Sequence, residues 1–274
     1  MFEPNGNLLL PIHFARSLVG RERTNVGNRR LGYTLTFIAG ATNAGGFLAI
    51  AQYTSHMTGI VSAMADQVVL GQYTLMLAGA AALFMFVTGA GCSAVMVNFA
   101  RRHQMHSEYA LPLLLEALLL LVFGTLGSQL ASIHSLFTSV TVMLLCFIMG
   151  LQNAAITKLS HAEIRTTHIT GMVTDLGIEL GKLVYWNAGL APQMPKVFAD
   201  RVRLRILGLM VATFFVGGVV GALGFKFLGF TSTLPLAMAL VLLAAVPAAD
   251  DVAQVVRRQR LQRHINRQAP QPKQ

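Results

Sequence analysis

Two short stretches of this chain read almost alike: residues 53–61 are YTSHMTGIV, and residues 165–173 are RTTHITGMV. Each stretch follows a long apolar segment and an Asn-Ala pair, which begins at Asn43 in the first copy and at Asn153 in the second. Weak internal similarity at a spacing of about 110 residues indicates a duplicated chain with two related halves. The repeated polar element is the predicted functional site.

The composition is typical of a membrane protein. Hydrophobic residues make up 54% of the chain and charged residues 12%, with a mean hydropathy of +0.58. A soluble domain carries about 25% charged residues, so this chain lacks the polar surface of one. The net charge of +10 is concentrated in the two tails and in certain loops, as the positive-inside rule produces. The lipid bilayer is therefore the expected partner, and a nucleic-acid role is disfavoured.

Six apolar stretches are long enough to cross a hydrocarbon core of about 30 Å. They are residues 31–52, 75–100, 110–131, 136–157, 204–225 and 231–249. We therefore predict an all-α polytopic protein with a membrane domain at 31–250, divided into repeat A at 31–131 and repeat B at 136–250. Basic cytoplasmic tails are predicted at 1–30 and 251–274.

The placement of Lys and Arg indicates how the two motif-bearing segments are threaded. If both segments crossed the membrane, there would be eight crossings and four basic residues would lie outside. These are Arg101, Arg102, Lys158 and Arg165. If the segments enter without crossing, six crossings remain and the outer loops carry no Lys or Arg. The prediction is thus six crossings and two broken or re-entrant polar helices, with both termini on the cytoplasmic side of a bacterial inner membrane.

Further similarities extend the repeat beyond the motif. Residues 86–89 (FVTG) resemble 215–218 (FVGG), and residues 111–113 and 234–236 both read LPL. Three crossings per half is an odd number, so the second half is predicted to be inserted upside down relative to the first. This inverted 3+3 plan is common in secondary transporters and brings the broken elements together near the middle of the bilayer.

The two repeated polar elements form the predicted solute site. A helix that begins inside the membrane presents backbone amides that favour negative charge or a carbonyl oxygen. Histidine at membrane depth titrates, bonds anions or ligates metal. The predicted binding residues are His56, Thr58, Gly59, His168, Thr170, Gly171, Asn43 and Asn153. Two alternatives stay open: histidines satisfied at the lipid interface or by a carbonyl, and asparagines that tie down the broken element.

Acidic side chains follow each motif by two to three helical turns. Asp66 follows the first motif, and Asp175 and Glu179 follow the second. A carboxylate at a helix centre costs about 2.5–3.5 kcal/mol, so it normally faces a cavity or a partner. These three are the predicted proton-coupling residues, and the alternative for Glu179 is an ion pair with Lys182. Glu116, which stands among leucines, is expected to snorkel or to bond across helices.

Four segments carry a resemblance to a known family: 40–44, 57–59, 150–154 and 169–177. Over about residues 31–250 the chain resembles the YoaK-like family of bacterial inner-membrane proteins, which is defined by domain of unknown function 1275. One position departs from the pattern, because Ile60 stands where members often have Asn after Met-Thr-Gly. The resemblance implies a multi-pass inner-membrane protein and a small permease, and it supplies no substrate.

Signatures of enzymes are missing: the sequence has no HExxH, no GxSxG and no Walker-type loop, so we expect neither an enzyme nor a cofactor or metal site. The predicted function is a small-solute permease, with proton coupling as a further prediction. The solute is expected to be small and polar or anionic. A passive channel on the same plan, and a membrane anchor or assembly factor without transport, stay open. Glycine-rich faces are compatible with a homo-oligomer.

Overall fold

The computed structural model describes residues 25–105, 108–130, 134–159, 169–186, 196–245 and 248–249. Throughout these ranges the regular structure is helical and no strand occurs, which confirms the predicted all-α class. Apart from residues 25–30, the predicted tails lie outside the described part of the chain.

Eight helices and one short 3-10 turn follow one another along the described chain. In order they are α1 (Asn25–Ile50), α2 (Met57–Val69), α3 (Tyr73–Arg102), α4 (Ala110–Leu130), α5 (His134–Leu159), α6 (Ile169–Val184), α7 (Arg201–Leu228), the 3-10 turn Gly229–Ser232, and α8 (233–245). Helices α1 to α4 fall in repeat A, and α5 to α8 fall in repeat B.

Four stretches of the described chain are long and apolar enough to cross a membrane, which identifies a membrane protein. They are Tyr73–Arg102, Ala110–Gly127, Ser139–Thr157 and Arg201–Ala245. The last one has 45 residues, whereas about 20 suffice for one crossing, so it has the length of two. The turn Gly229–Ser232 interrupts it, and Gly229 adopts a φ of 59° there. Helix α1, also a predicted span, falls outside this set because its threonines and Asn43 make it more polar.

Helices α1 and α5 occupy equivalent places at the centre of the molecule. Both are 26 residues long, and burial follows the same order along them. Leu35 and Ile38 are buried in α1, as are Leu145 and Ile148 in α5. Helix α1 packs mainly on α7, while α5 packs mainly on α3. The first helix of each half therefore docks against the third helix of the other half.

Glycines bring these helix pairs into backbone contact. A β-carbon at any of four glycines would lie between 2.0 and 2.2 Å from a carbonyl oxygen of the facing helix. The four contacts are Gly40 with Phe214, Gly150 with Phe86, Gly217 with Phe37, and Gly89 with Phe147. In these contacts Gly89 and Gly217 occupy equivalent positions. The sequence comparison of 86–89 with 215–218 aligns Gly89 with Gly218 instead, so it is wrong by one residue. The two interfaces are built from the same set of contacts.

Side-chain contacts also fix the relative directions of the central helices. The Gln152 side-chain amide donates to the Leu35 carbonyl at 3.3 Å, while Leu145 lies beside Gly46 at the far end of α1. The residue numbers rise in opposite senses along this contact, so α1 and α5 are antiparallel. Along α7 they rise in the same sense, because Gly221 meets Ala41 and Phe225 meets Gly45. Helices α1 and α7 are parallel.

The two motif-bearing helices are short and lean on the helix that follows each of them. Helix α2 has 13 residues and α6 has 16, which gives about 20–24 Å at 1.5 Å per residue. Helix α2 turns back onto α3 through Gly71, whose φ is 68°, and places Ile60 and Met64 beside Gly79. Helix α6 packs on α7 through Met172, Leu207 and Met210.

Candidate functional site

A cavity of about 510 Å³ lies beside the first copy of the motif. Five elements border it: the end of α1, the segment that joins it to α2, α2 itself, the start of α3, and the start of α5. Its lining residues are Phe47, Ala51, Gln52, Tyr53, His56, Gly59, Ile60, Ala63, Gln67, Leu75, Ala78, Gly79, Ser139, Val142 and Met143. The cavity thus lies between repeat A and the first helix of repeat B.

The described part of the lining combines an apolar body with a few polar groups and carries no Asp, Glu, Lys or Arg. The Tyr53 ring stacks on Phe47 with centroids 4.4 Å apart, and Gln52, His56 and Gln67 add polar side chains. The Gln67 side-chain oxygen is buried and has no hydrogen-bond partner within the described ranges. The size and the sparse polar groups are those of a small-molecule site.

Gly59 determines where the His56 ring lies. His56 is the residue before the first turn of α2, and no hydrogen bond from its side chain caps that helix. A β-carbon at Gly59 would lie 2.2 Å from Cδ2 and 2.6 Å from Nε2 of the His56 ring. The imidazole therefore occupies the space that a side chain at position 59 would fill. A glycine three residues after His56 leaves this space free for the ring.

The other predicted residues of the first copy lie outside this lining. Thr58 is exposed on α2. Asn43 is buried, and its Oδ1 accepts a hydrogen bond of 2.8 Å from the Ser55 hydroxyl. That bond joins α1 to the segment carrying the motif, which is the tying role that the sequence left open for Asn43. Next to it, the Thr54 hydroxyl is buried and unpaired among the described residues.

The second copy of the motif is described only in part. His168 lies outside the described residues, while Thr170 and Gly171 stand in the first turn of α6, with Thr170 exposed and Gly171 half-buried. Asn153 is half-buried in α5, and its backbone carbonyl accepts from the Thr157 hydroxyl at 2.7 Å. No α6 residue is among the cavity lining. The solute-binding role of these residues stays a prediction.

The three predicted proton-coupling residues differ in their surroundings. Asp66 is exposed on α2. Asp175 accepts a hydrogen bond of 3.0 Å from Arg203 at the start of α7. Glu179 is buried, and its two oxygens accept from the Lys182 ammonium and from the backbone N–H of Asp200, each at 2.8 Å. The ion pair with Lys182 is confirmed.

Helix α6 is therefore held to the start of α7 by charge-assisted bonds. The hydrogen bond from Lys182, followed by that from the Asp200 amide, lowers the pKa of Glu179 below its usual value. Asp200 caps α7 by accepting from the backbone N–H groups of Arg203 and Val202, which lowers the pKa of its own carboxyl. We call Asp175, Glu179, Lys182, Asp200 and Arg203 the α6–α7 latch.

Gln67 was not among the residues predicted from the motif, although the repeat points to it. Gln67 and Glu179 stand in the same relation to their motifs as His56 and His168 do. Extending the repeat by three turns would have paired these two polar side chains. In the described ranges, no three His, Cys, Asp or Glu side chains come together.

One family model matches the chain over residues 31–246, and its description is protein of unknown function (DUF1275). This confirms the resemblance to domain of unknown function 1275. No curated protein matches the chain, and no solved structure does.

Proposed function

We propose that this chain, which belongs to the DUF1275 family, is a small-solute permease of the bacterial inner membrane whose solute binds in the cavity beside His56. One observation carries the proposal: the cavity lies between the two halves and is lined by His56 and Gly59 of the repeated motif. Secondary transporters place their sites at the interface between repeats, next to interrupted helices.

The inverted six-crossing plan is part of this proposal, and the helix directions support it. With eight crossings, four would precede α5, so α1 and α5 would run in the same direction. If α2 does not cross by itself, three crossings precede α5 and the two helices run in opposite directions, as Gln152 and Leu145 indicate. The equivalent α1–α7 and α5–α3 interfaces support the same plan. Both termini are then cytoplasmic.

The chemistry of the lining favours a small polar solute without a large net charge. A charged solute would find no side chain of opposite charge among the lining residues that the structure describes, and burial of an unpaired charge is costly. Gln67 and His56 offer hydrogen bonds, while Tyr53 and Phe47 offer an aromatic surface. A weak anion is compatible with the amides at the start of α2.

Uptake by the purified protein in liposomes tests this function. A panel of radiolabelled small polar and weakly acidic solutes is offered to the wild type and to His56→Ala. We expect saturable uptake of at least one solute and a loss of about tenfold in the variant, because one hydrogen bond to a solute is worth up to about 1.5 kcal/mol. His103→Ala is the matched control, since His103 is exposed at the end of α3 and should transport normally.

The same measurement separates the alternatives. Flux that rises linearly with solute concentration and ignores a protonophore indicates a channel. If no solute in the panel is taken up and the tails prove necessary for activity in cells, a membrane anchor or assembly factor is the better interpretation. Equal uptake by the wild type and His56→Ala overturns the site.

A further inference from the structure

Helix α4 buries a carboxyl group that the proposed solute site does not use. Glu116 is 1% exposed and stands on the same helix face as Leu113, Ala117 and Leu120, which are equally buried. Its Oε1 has no hydrogen-bond partner in the described part of the chain. The side chain is therefore enclosed by protein and does not extend to water, so the expected snorkelling is wrong, and Oε1 makes no bond across helices to a described residue.

Each of the other described acids either has a hydrogen-bonding partner or is exposed. Four of them have charged or backbone partners, and one is exposed. Glu108 pairs with Arg101, Asp175 with Arg203, Glu179 with Lys182, Asp200 caps α7, and Asp66 is exposed on α2. Among the acids that the structure describes, Glu116 is thus distinguished by deep burial without a compensating charge.

Among the described residues, the elements packed around α4 offer Glu116 no opposite charge. On α5, the one titratable side chain between Ser139 and Thr157 is Cys146. On α3 the titratable groups are Tyr73 at its start, Cys92, and Arg101 and Arg102 at its end, next to His103. Arg101 is engaged by Glu108 at 2.7 Å. The turn and helix at 229–245 contain no titratable residue.

Physical chemistry then restricts the form in which this carboxyl is buried. An isolated carboxylate in an apolar interior is so costly that the group takes up a proton instead. A protonated carboxyl in a membrane span is normally retained for function, since intramembrane acids mark proton and ion pathways. Its release to water would leave a carboxylate, which the present packing cannot hold.

We propose that Glu116 is a proton-binding site, neutral in this conformation and deprotonated when α4 and its neighbours repack to admit water. One O–H bond breaks on release, the proton passes to water, and the reverse step restores the acid. The protonation itself is independent of the proposed permease function, and only its coupling to solute movement rests on that function.

Infrared spectroscopy of the full chain reconstituted in lipid tests the proposal directly. At neutral pH we expect a carbonyl band of a protonated carboxyl in the wild type, and a shift of that band in D2O as the proton exchanges. Glu116→Gln removes the band, Glu116→Asp keeps a protonated-carboxyl band at a slightly different frequency, and Asp66→Asn leaves it unchanged as the matched control.

Each possible infrared result either supports or overturns the proposal for Glu116. No protonated-carboxyl band in the wild type at neutral pH overturns the proposal without any variant. A band that persists in Glu116→Gln belongs to another residue and overturns it as well. A band that is lost in the variant but does not shift in D2O over hours marks a static acid, and the proton-exchanging role fails. A failed uptake experiment on His56 changes none of these outcomes.

Discussion

Helices α2 and α6 follow the same repeated motif, but they differ in their polar contacts with the rest of the protein. Helix α2 borders the cavity, carries Asp66 exposed, and presents Gln67 to the lining. Helix α6 is joined to α7 by the α6–α7 latch, with Glu179 buried at the position equivalent to Gln67. The two halves thus share a helix framework, while their polar groups differ. We call the α2 side, which borders the cavity, the open side, and the α6 side, which is joined to α7, the fastened side.

The largest effect should come from the framework that both halves share. Because a β-carbon at Gly40 or Gly150 would lie 2.2 or 2.0 Å from a backbone oxygen, Gly40→Ala and Gly150→Ala should each destabilise the protein by about 3 kcal/mol or more. Thermal unfolding in detergent measures this. Gly91→Ala is the control, since nothing lies within 4 Å of its added carbon. Unequal damage by the two variants would show that the interfaces are not equivalent.

The next effect concerns the fastened side. Glu179→Gln removes the charge that Lys182 and the Asp200 amide bind, so we expect a clear drop in Tm. Glu108→Gln breaks the more exposed pair with Arg101 and should cost less, because surface ion pairs contribute little. Equal Tm values for both variants would mean that the latch does not fasten α6.

Acid should remove the stabilisation that Glu179 gives to the fastened side. The pKa of Glu179 is lower in the folded protein than in the unfolded chain, so its contribution to stability is complete above the unfolded value. That contribution is lost as the pH falls through the folded value, which lies below the usual pKa of a glutamate. The Tm gap between wild type and Glu179→Gln should therefore be largest near neutral pH and close in acid. A gap that widens on acidification contradicts the assignment.

The smallest effect belongs to the open side. Ser55→Ala removes the hydrogen bond to Asn43, which should reduce the free energy of unfolding by about 1 kcal/mol. Ser62→Ala, at an exposed position on α2, is the control and should have no measurable effect. If both serine variants behave alike, Asn43 does not hold the motif segment in place.

Sequence reasoning predicted the helical class and most of the spans because hydropathy depends on local composition. It also selected His56 and Gly59, which line the cavity, because a polar motif that occurs twice in an apolar chain is conspicuous. The latch partners Asp200 and Arg203 were missed, since they come from the start of α7, a separate element. Gln67 was missed because an isolated glutamine has no local signature, and Glu116 was misplaced because depth in a bundle depends on neighbouring helices.

The missing side chain at position 59 has a consequence for how this protein could be altered. One added methyl group there would meet the imidazole of His56 and push it out of its present resting place, although no polar atom would have been removed. Gly59→Ala would thus move the His56 ring away from the cavity lining. A variant that looks mild would then have the same effect on solute binding as the loss of the histidine itself.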